Sequence, residues 1–165
     1  MILFVSLMAA GCLSLAGCGN PMDRLTAEEA ITEGNDHLRQ GDYGEAVQFF
    51  SAALEKEPEN VTARNNRAVA LIALERFELA YEDITRAIRD GKDQRADSYI
   101  IRATLHRLLK QNDWALADVN RAIQIEGQNP EAYRARAGIH EAQNRPAQAR
   151  RDLQIADRLA AQRKR

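Results

Sequence analysis

Small residues recur along this chain at a fixed period, and that period decides what the chain can fold into. Ala46 and Ala53, Ala80 and Ala87, Ala115 and Ala122, and Ala149 and Ala156 are pairs seven apart, and the pairs step by 34, 35 and 34 residues. Twelve residues before each pair stands Gly34, Ala68, Ala103 or Ala137. At this Ala-plus-Gly frequency, agreement at all twelve positions has a chance probability on the order of 10^-8 before allowing for the choice of register, so the period is architectural.

Residues four or seven apart share one face of a helix. Ala at both places, opposite Ala or Gly on a partner helix, lets two backbones approach closely. Phe50, Ile84, Val119 and Leu153 lie four residues after each first Ala and are expected to fill the remaining gaps. The pattern predicts helices over 28–40, 43–56, 62–74, 77–90, 96–110, 113–126, 130–143 and 146–161. Pro130 and Pro146 fall in first turns, where a missing N–H costs nothing, and Pro58 breaks the chain between units. One such hairpin cannot bury its apolar face alone, so neighbours must stack.

The spacing resembles that of the tetratricopeptide repeat. Residues 27–60 fit it best, with Gly34-Asn35, Gln40-Gly41-Asp42-Tyr43, Glu45-Ala46, Phe50, Ala53-Leu54 and Pro58 where that family places them. Further copies run over 61–95, 96–129 and 130–161, all within a repeat domain at 27–161. The later copies depart from the pattern at the mid-repeat turn, having Glu75, Lys110 and Asn144 in place of Gly, while Gly91 and Gly127 are expected to cap helices. The resemblance implies an all-α fold, a right-handed superhelical array of four antiparallel helix hairpins with the first helix of each repeat lining the concave side.

Three arginines and three aspartates follow the same period. Arg67, Arg102 and Arg136 share one repeat position, and Asp83, Asp118 and Asp152 share another, 16 residues later each time. In the first repeat both change together, to Glu33 and Phe49. The joint switch predicts contact across each hairpin, an ion pair in repeats two to four. His37, His106 and His140 also share one position. Equivalent positions in stacked hairpins stand about 10 Å apart, too far for one metal ion, so these read as packing residues. Trp114 has no counterpart in the other repeats and is expected to pack at a repeat junction.

No HExxH, Gly-rich phosphate loop or GxSxG occurs, and the repeat region has no cysteine, so the reading is a binding protein, not an enzyme, with no cofactor and no metal. Lys plus Arg is 23 against 24 for Asp plus Glu, which gives no electrostatic argument for nucleic acid. The resemblance places ligand contacts on the first helix of each repeat. Those positions hold Asn35, Leu38 and Arg39; Thr62, Asn65, Asn66, Val69 and Ile72; Asp97, Ile100, Thr104 and Arg107; and Arg134 and Glu141. The chaperone-tail members of that family grip a C-terminal carboxylate with Asn and cations. Here Asn35 and Asn66 remain, but Ile31, Asp97 and Ile101 stand where the cations belong, so that mode of binding is not expected. The partner is expected to be a protein or peptide in the concave groove.

Residues 1–17 are uncharged and mostly apolar, a run shorter than the about 20 residues of a comfortable membrane span. They read as a secretory signal, and Leu15-Ala16-Gly17-Cys18 resembles the lipobox of bacterial lipoproteins, with Cys18 the lipidated residue and Cys12 a weaker candidate. The run opens without Lys or Arg, so either this signal is atypical or translation starts upstream, and an uncleaved anchor is the alternative. In lipoproteins of that kind Asp after the cysteine favours inner-membrane retention, so with Gly19 there the resemblance implies sorting to the outer membrane, facing the periplasm. Residues 18–26 read as a tether and 162–165 as a basic tail. The family resemblance implies a lipid-anchored scaffold of the cell envelope, such as an assembly factor for a pilus or secretion system. The alternatives are a binding module for cell-wall fragments or an adaptor for an envelope peptidase. The last repeat has no extra capping helix, so the face around Ile155 and Leu159 is a candidate for self-association.

Overall fold

The computed structural model describes residues 21–92 and 94–163. The signal run 1–17, Cys18 and the tail residues Lys164 and Arg165 lie outside the described residues. A short 3-10 turn, Pro21–Arg24, precedes eight α-helices: α1 Ala27–Gln40, α2 Tyr43–Lys56, α3 Val61–Ala73, α4 Phe77–Asp90, α5 Ala96–Leu108, α6 Asn112–Ile125, α7 Pro130–Ala142 and α8 Pro146–Arg163. The chain is all-helical over these residues, and consecutive helices pair into four hairpins.

Local chemistry fixes the helix ends. Thr26 and Glu29 form a reciprocal capping box at the start of α1, the Thr26 N–H donating to the Glu29 carboxylate at 2.8 Å. Asn60 and Asn129 cap α3 and α7 through side-chain oxygens that accept from Ala63 and Glu131 N–H. Pro130 sits in the first turn of α7, and α8 begins on Pro146.

Every mid-repeat turn uses one device, whatever residue stands there. Gly41, Glu75, Lys110 and Asn144 all adopt positive φ, at 87, 57, 60 and 56°. The N–H of the next residue returns to a carbonyl five back in each case, as from Asp42 to His37 at 2.9 Å and from Gln111 to His106 at 2.8 Å. Loss of the glycine therefore leaves the left-handed turn in place and adds strain. Of the two inter-repeat glycines expected to cap helices, Gly91 caps α4 and Gly127 does not cap α6. Gly91 has φ −77° at the end of α4, and Lys92 takes the positive φ instead. A Cβ on Gly91 would stand 3.0 Å from the Ala87 carbonyl oxygen, so that glycine serves close approach. The residue capping α6 is Glu126, at φ −135°, and the Gly127 carbonyl accepts a hydrogen bond from the Tyr133 hydroxyl.

The small residues lie where the helices touch. Ala46, Ala53, Ala80, Ala87, Ala115, Ala122, Ala149 and Ala156 are all buried, as are Ala68, Ala103 and Ala137. Gly34 meets Phe50 so closely that a Cβ there would stand 2.7 Å from the ring. In the next two repeats Ala68 and Ala103 have partners of smaller volume, Ile84 and Val119, both fully buried. Leu153 departs from this role and is 40% exposed. Its repeat is the last one described, so no following helix covers α8.

The stacking order sets the two faces. Each second helix packs on the next first helix, α2 on α3, α4 on α5 and α6 on α7. Successive first helices also touch, α1 with α3, α3 with α5 and α5 with α7, and no contact of that extent joins α2 to α4, α4 to α6 or α6 to α8. Close inner helices and splayed outer ones curve the stack, with α1, α3, α5 and α7 on the concave side.

Candidate binding groove and the ion pairs behind it

The ion-pair positions come together in repeats two to four. Arg67 reaches Asp83 through two parallel bonds, Nε to Oδ2 and Nη2 to Oδ1, each 2.7 Å. Arg102 meets Asp118 in the same way at 2.8 and 2.6 Å, and Arg136 meets Asp152 at 2.9 and 2.8 Å. Bidentate geometry of this kind suits the planar guanidinium. Two of the three reach further, since Arg67 Nη1 donates to Ser51 and Arg136 Nη1 to Asn120, each 3.0 Å away on the preceding repeat. The pair thus joins three helices. Hydrogen bonding to Asp118 holds the Arg102 guanidinium above its ordinary range, and Asp152 does the same for Arg136, each against the cost of burial.

The histidines complete these clusters. His106 Nε2 lies 3.6 Å from Asp118, and His140 Nε2 lies 3.7 Å from Asp152. In repeat one, where Phe49 replaces the aspartate, His37 stacks on the Phe49 ring with centroids 5.1 Å apart. Burial pushes the His140 imidazole below its ordinary value, outweighing the opposing charge of Asp152. Among the described residues no group of three or more His, Cys, Asp or Glu is placed to hold a metal ion.

The concave face divides the expected contact residues into two sets. Asn65 is 2% exposed and accepts a hydrogen bond from Ser98 at 3.0 Å, so it ties repeat two to repeat three and is not available to a ligand. This corrects its assignment to the groove. Buriedness was invisible in the sequence because Asn65 and Asn66 are neighbours of one type, and only the rotation along α3 separates them. Thr104 donates its hydroxyl back to the Ile100 carbonyl at 3.0 Å, leaving its methyl to the groove. Arg39 pairs with Asp36, and Arg134 with Glu131 at 2.5 Å, so both cations are committed locally.

What remains open is a line across the array. Asn66 Nδ2 donates to Asn35 Oδ1 at 2.7 Å, across repeats one and two. That bond leaves one free acceptor on Asn66 and free donor capacity on Asn35. Val69, Ile72 and Ile100 are half-buried beyond them. Arg107 follows, its guanidinium stem lying over Gly138, with Nε 3.8 Å from where a Cβ would stand. Among the described residues Arg107 has no ion-pair partner. Asp97 is bound to Arg95 at 2.7 Å. Burial pushes its carboxyl up, but the Arg95 bond and charge outweigh that and hold it below its ordinary value.

Arg64 was not singled out by sequence. It is 7% exposed, donates to the Pro58 carbonyl and pairs with Asp90 at 3.2 Å. The other repeats hold Ala30, Tyr99 and Tyr133 there, so no periodic signal marked it.

Residues 31–97 match the family model for the tetratricopeptide repeat. RNA polymerase II-associated protein 3 of Xenopus laevis is 30% identical over 70% of this chain. The chain spans only about a fifth of the length of such curated relatives. A solved structure, the first repeat domain of Spaghetti bound to the HSP90 peptide SRMEEVD, is 26% identical with a TM-score of 0.65, covering 72% of this chain and 93% of that one. TTC0263, a tetratricopeptide-repeat protein of Thermus thermophilus, shares the fold at a TM-score of 0.73 and 20% identity, over 82% of this chain and 80% of its own.

Proposed function

We propose that this array of helix hairpins, similar in fold to tetratricopeptide-repeat proteins, is a scaffold that holds an extended segment of a partner protein along its concave face. The observation that carries this is the Asn66–Asn35 bond with its leftover acceptor and donor. One peptide unit offers a matching N–H and C=O, so the pair can grip backbone without regard to side chain. Val69, Ile72 and Ile100 then favour an apolar stretch, and Arg107 favours an acidic group beyond it. The Spaghetti domain is similar to this one and is bound to an acidic peptide, which supports a peptide ligand. A terminal-carboxylate grip has less support, because Ile31, Asp97 and Ile101 supply no cation.

Peptides selected from a random displayed library on the purified protein test this reading. An Asn35→Ala/Asn66→Ala variant is expected to weaken the selected peptides by about tenfold or more, roughly the loss of one or two good hydrogen bonds to a buried backbone. Arg107→Glu is expected to abolish the preference for acidic residues. Unchanged affinity in both variants would overturn the groove assignment.

The envelope setting is a further part of the proposal, and Leu15-Ala16-Gly17-Cys18 alone supports it. Attachment through diacylated Cys18 would hold the array at a membrane, since two acyl chains anchor firmly where one does not. A role in assembling a pilus or secretion system is the variant of this reading in which the partner is a fellow envelope protein. Cys18→Ser is expected to move the protein from membrane to soluble fractions and to stop incorporation of labelled palmitate. A variant that still sediments with membranes would count against lipidation.

A further inference from the structure

The splay between α4 and α6 opens a cleft of about 670 Å³ on the side away from the groove. Its floor is α5. At about 100° per residue, Ile100, Thr104 and Arg107 lie on one face of that helix and Arg102, His106 and Leu109 lie on the opposite one. The two sites therefore share no side chain.

The cleft is aromatic and acidic at once. Phe77 and Tyr81 line it from α4, and Trp114 from α6. Trp114 stands at the repeat junction as its position suggested, but it is 68% exposed, which corrects the expectation that it packs away. Tyr81 is 44% exposed and meets His106 edge-on at 5.8 Å, while Trp114 stacks with His106 at 6.4 Å. The imidazole thus contacts both rings, its Nδ1 2.7 Å from Gln111. Glu78, Glu82 and Asp118 also line the cleft, three carboxylates against the single guanidinium of Arg102. Arg102 and Asp118 neutralise one another. Among the described residues Glu78 and Glu82 have no ion-pair partner. The equivalent space between α2 and α4 holds Val47, Leu71 and Leu79 where this one has Tyr81, His106 and Trp114. Of these two junctions, the one between α4 and α6 combines the two chemistries.

We propose that this cleft binds an arginine or lysine side chain of a partner protein, seated on the exposed faces of Trp114 and Tyr81 with Glu78 and Glu82 as counter-charges. The faces of aromatic rings attract cations, and Trp does so best. Two carboxylates that form no ion pair among the described residues add Coulomb attraction, and the apolar wall of Phe77 and Leu109 accommodates the methylene stem. A neutral ligand would gain nothing from these carboxylates, and an anionic one would be repelled by them. The occupant is thus a basic segment, distinct in charge from the acidic group that Arg107 favours in the groove.

Trp114 is the only tryptophan in the chain, so its emission reports on this site alone. The probe is the end-blocked pentapeptide Gly-Leu-Arg-Leu-Gly, compared with the same peptide carrying citrulline, which keeps the shape and loses the charge. The expected result is a saturable change in Trp114 emission with arginine and affinity lower by about tenfold or more with citrulline. Binding is expected to weaken as salt rises, and to weaken by a similar factor in Glu78→Gln/Glu82→Gln, with circular dichroism unchanged. Equal responses to the two peptides, or indifference to the double substitution, would overturn the proposal. So would an emission change on simple dilution without peptide, which would assign the cleft to a second copy of the chain. None of these outcomes depends on the groove.

Discussion

At the residue scale, packing at the hairpin crossings is a matter of a few atoms. Gly34 and Phe50 are fitted as a pair, and a methyl group at position 34 has no room beside the ring. Gly34→Ala is expected to destabilise the fold by about 1–3 kcal/mol, as overpacked cores do, despite its better helix propensity. Phe50→Leu in the same chain should recover much of that loss, read as urea midpoints. The mid-repeat turns show the reverse case. Glu75 and Lys110 carry side chains in a left-handed conformation that costs roughly 1 kcal/mol or more. Glu75→Gly and Lys110→Gly are each expected to raise stability by about 0.5–1 kcal/mol, whereas Asn144→Gly should gain less because Asn tolerates that region.

At the element scale, the ion pairs and histidines join first helix to second. Removing Arg102 leaves the buried Asp118 carboxylate with only the His106 ring beside it, so Arg102→Ala is expected to cost about 3 kcal/mol. A double-mutant cycle with Asp118→Asn checks that the loss belongs to the pair, and zero coupling would contradict it. His140 gives a pH signature of known sign. Its folded pKa lies below the ordinary 6.5, so below that value the unfolded chain binds the proton more readily. Stability is therefore expected to fall as pH drops from 7 towards 5. His140→Leu, which copies Leu71 of repeat two, should remove that part of the slope. Denaturation series at several pH values would show it.

At the scale of the whole molecule, the array was legible because its signal is repetitive. The helix starts and ends deviate from the expected ones by no more than two residues, since Ala pairs, caps and prolines mark the same boundaries. The joint switch to Glu33 and Phe49 marked the Arg and Asp positions as neighbours, and a stacked His37–Phe49 pair stands where the later repeats place His beside Asp. The binding surfaces were less legible. Asn65 and Asn66 look alike in sequence, and only helix rotation buries one and leaves the other partly exposed. Trp114 was visible as an exception to the period, but the splay of α4 from α6 that exposes it is a property of the stack. Leu153 shows how much the ends matter. The position that is sealed as Phe50, Ile84 and Val119 lies open on the last described repeat. If that face pairs two copies, Leu153→Lys is expected to abolish a concentration-dependent rise in mass by light scattering, and a wild-type chain that stays monomeric would rule the pairing out.

The central claim, that partners lie along the first helices of the repeats, is tested most directly by nitrogen–proton NMR with a bound peptide. Side-chain amide signals report on Asn35 and Asn66 without mutation. The expected result is that those two amides, with backbone signals of Val69, Ile100 and Arg107, shift together and saturate at one affinity. Shifts confined to α2, α4, α6 and α8, with the Asn35 and Asn66 amides unmoved, would contradict the claim.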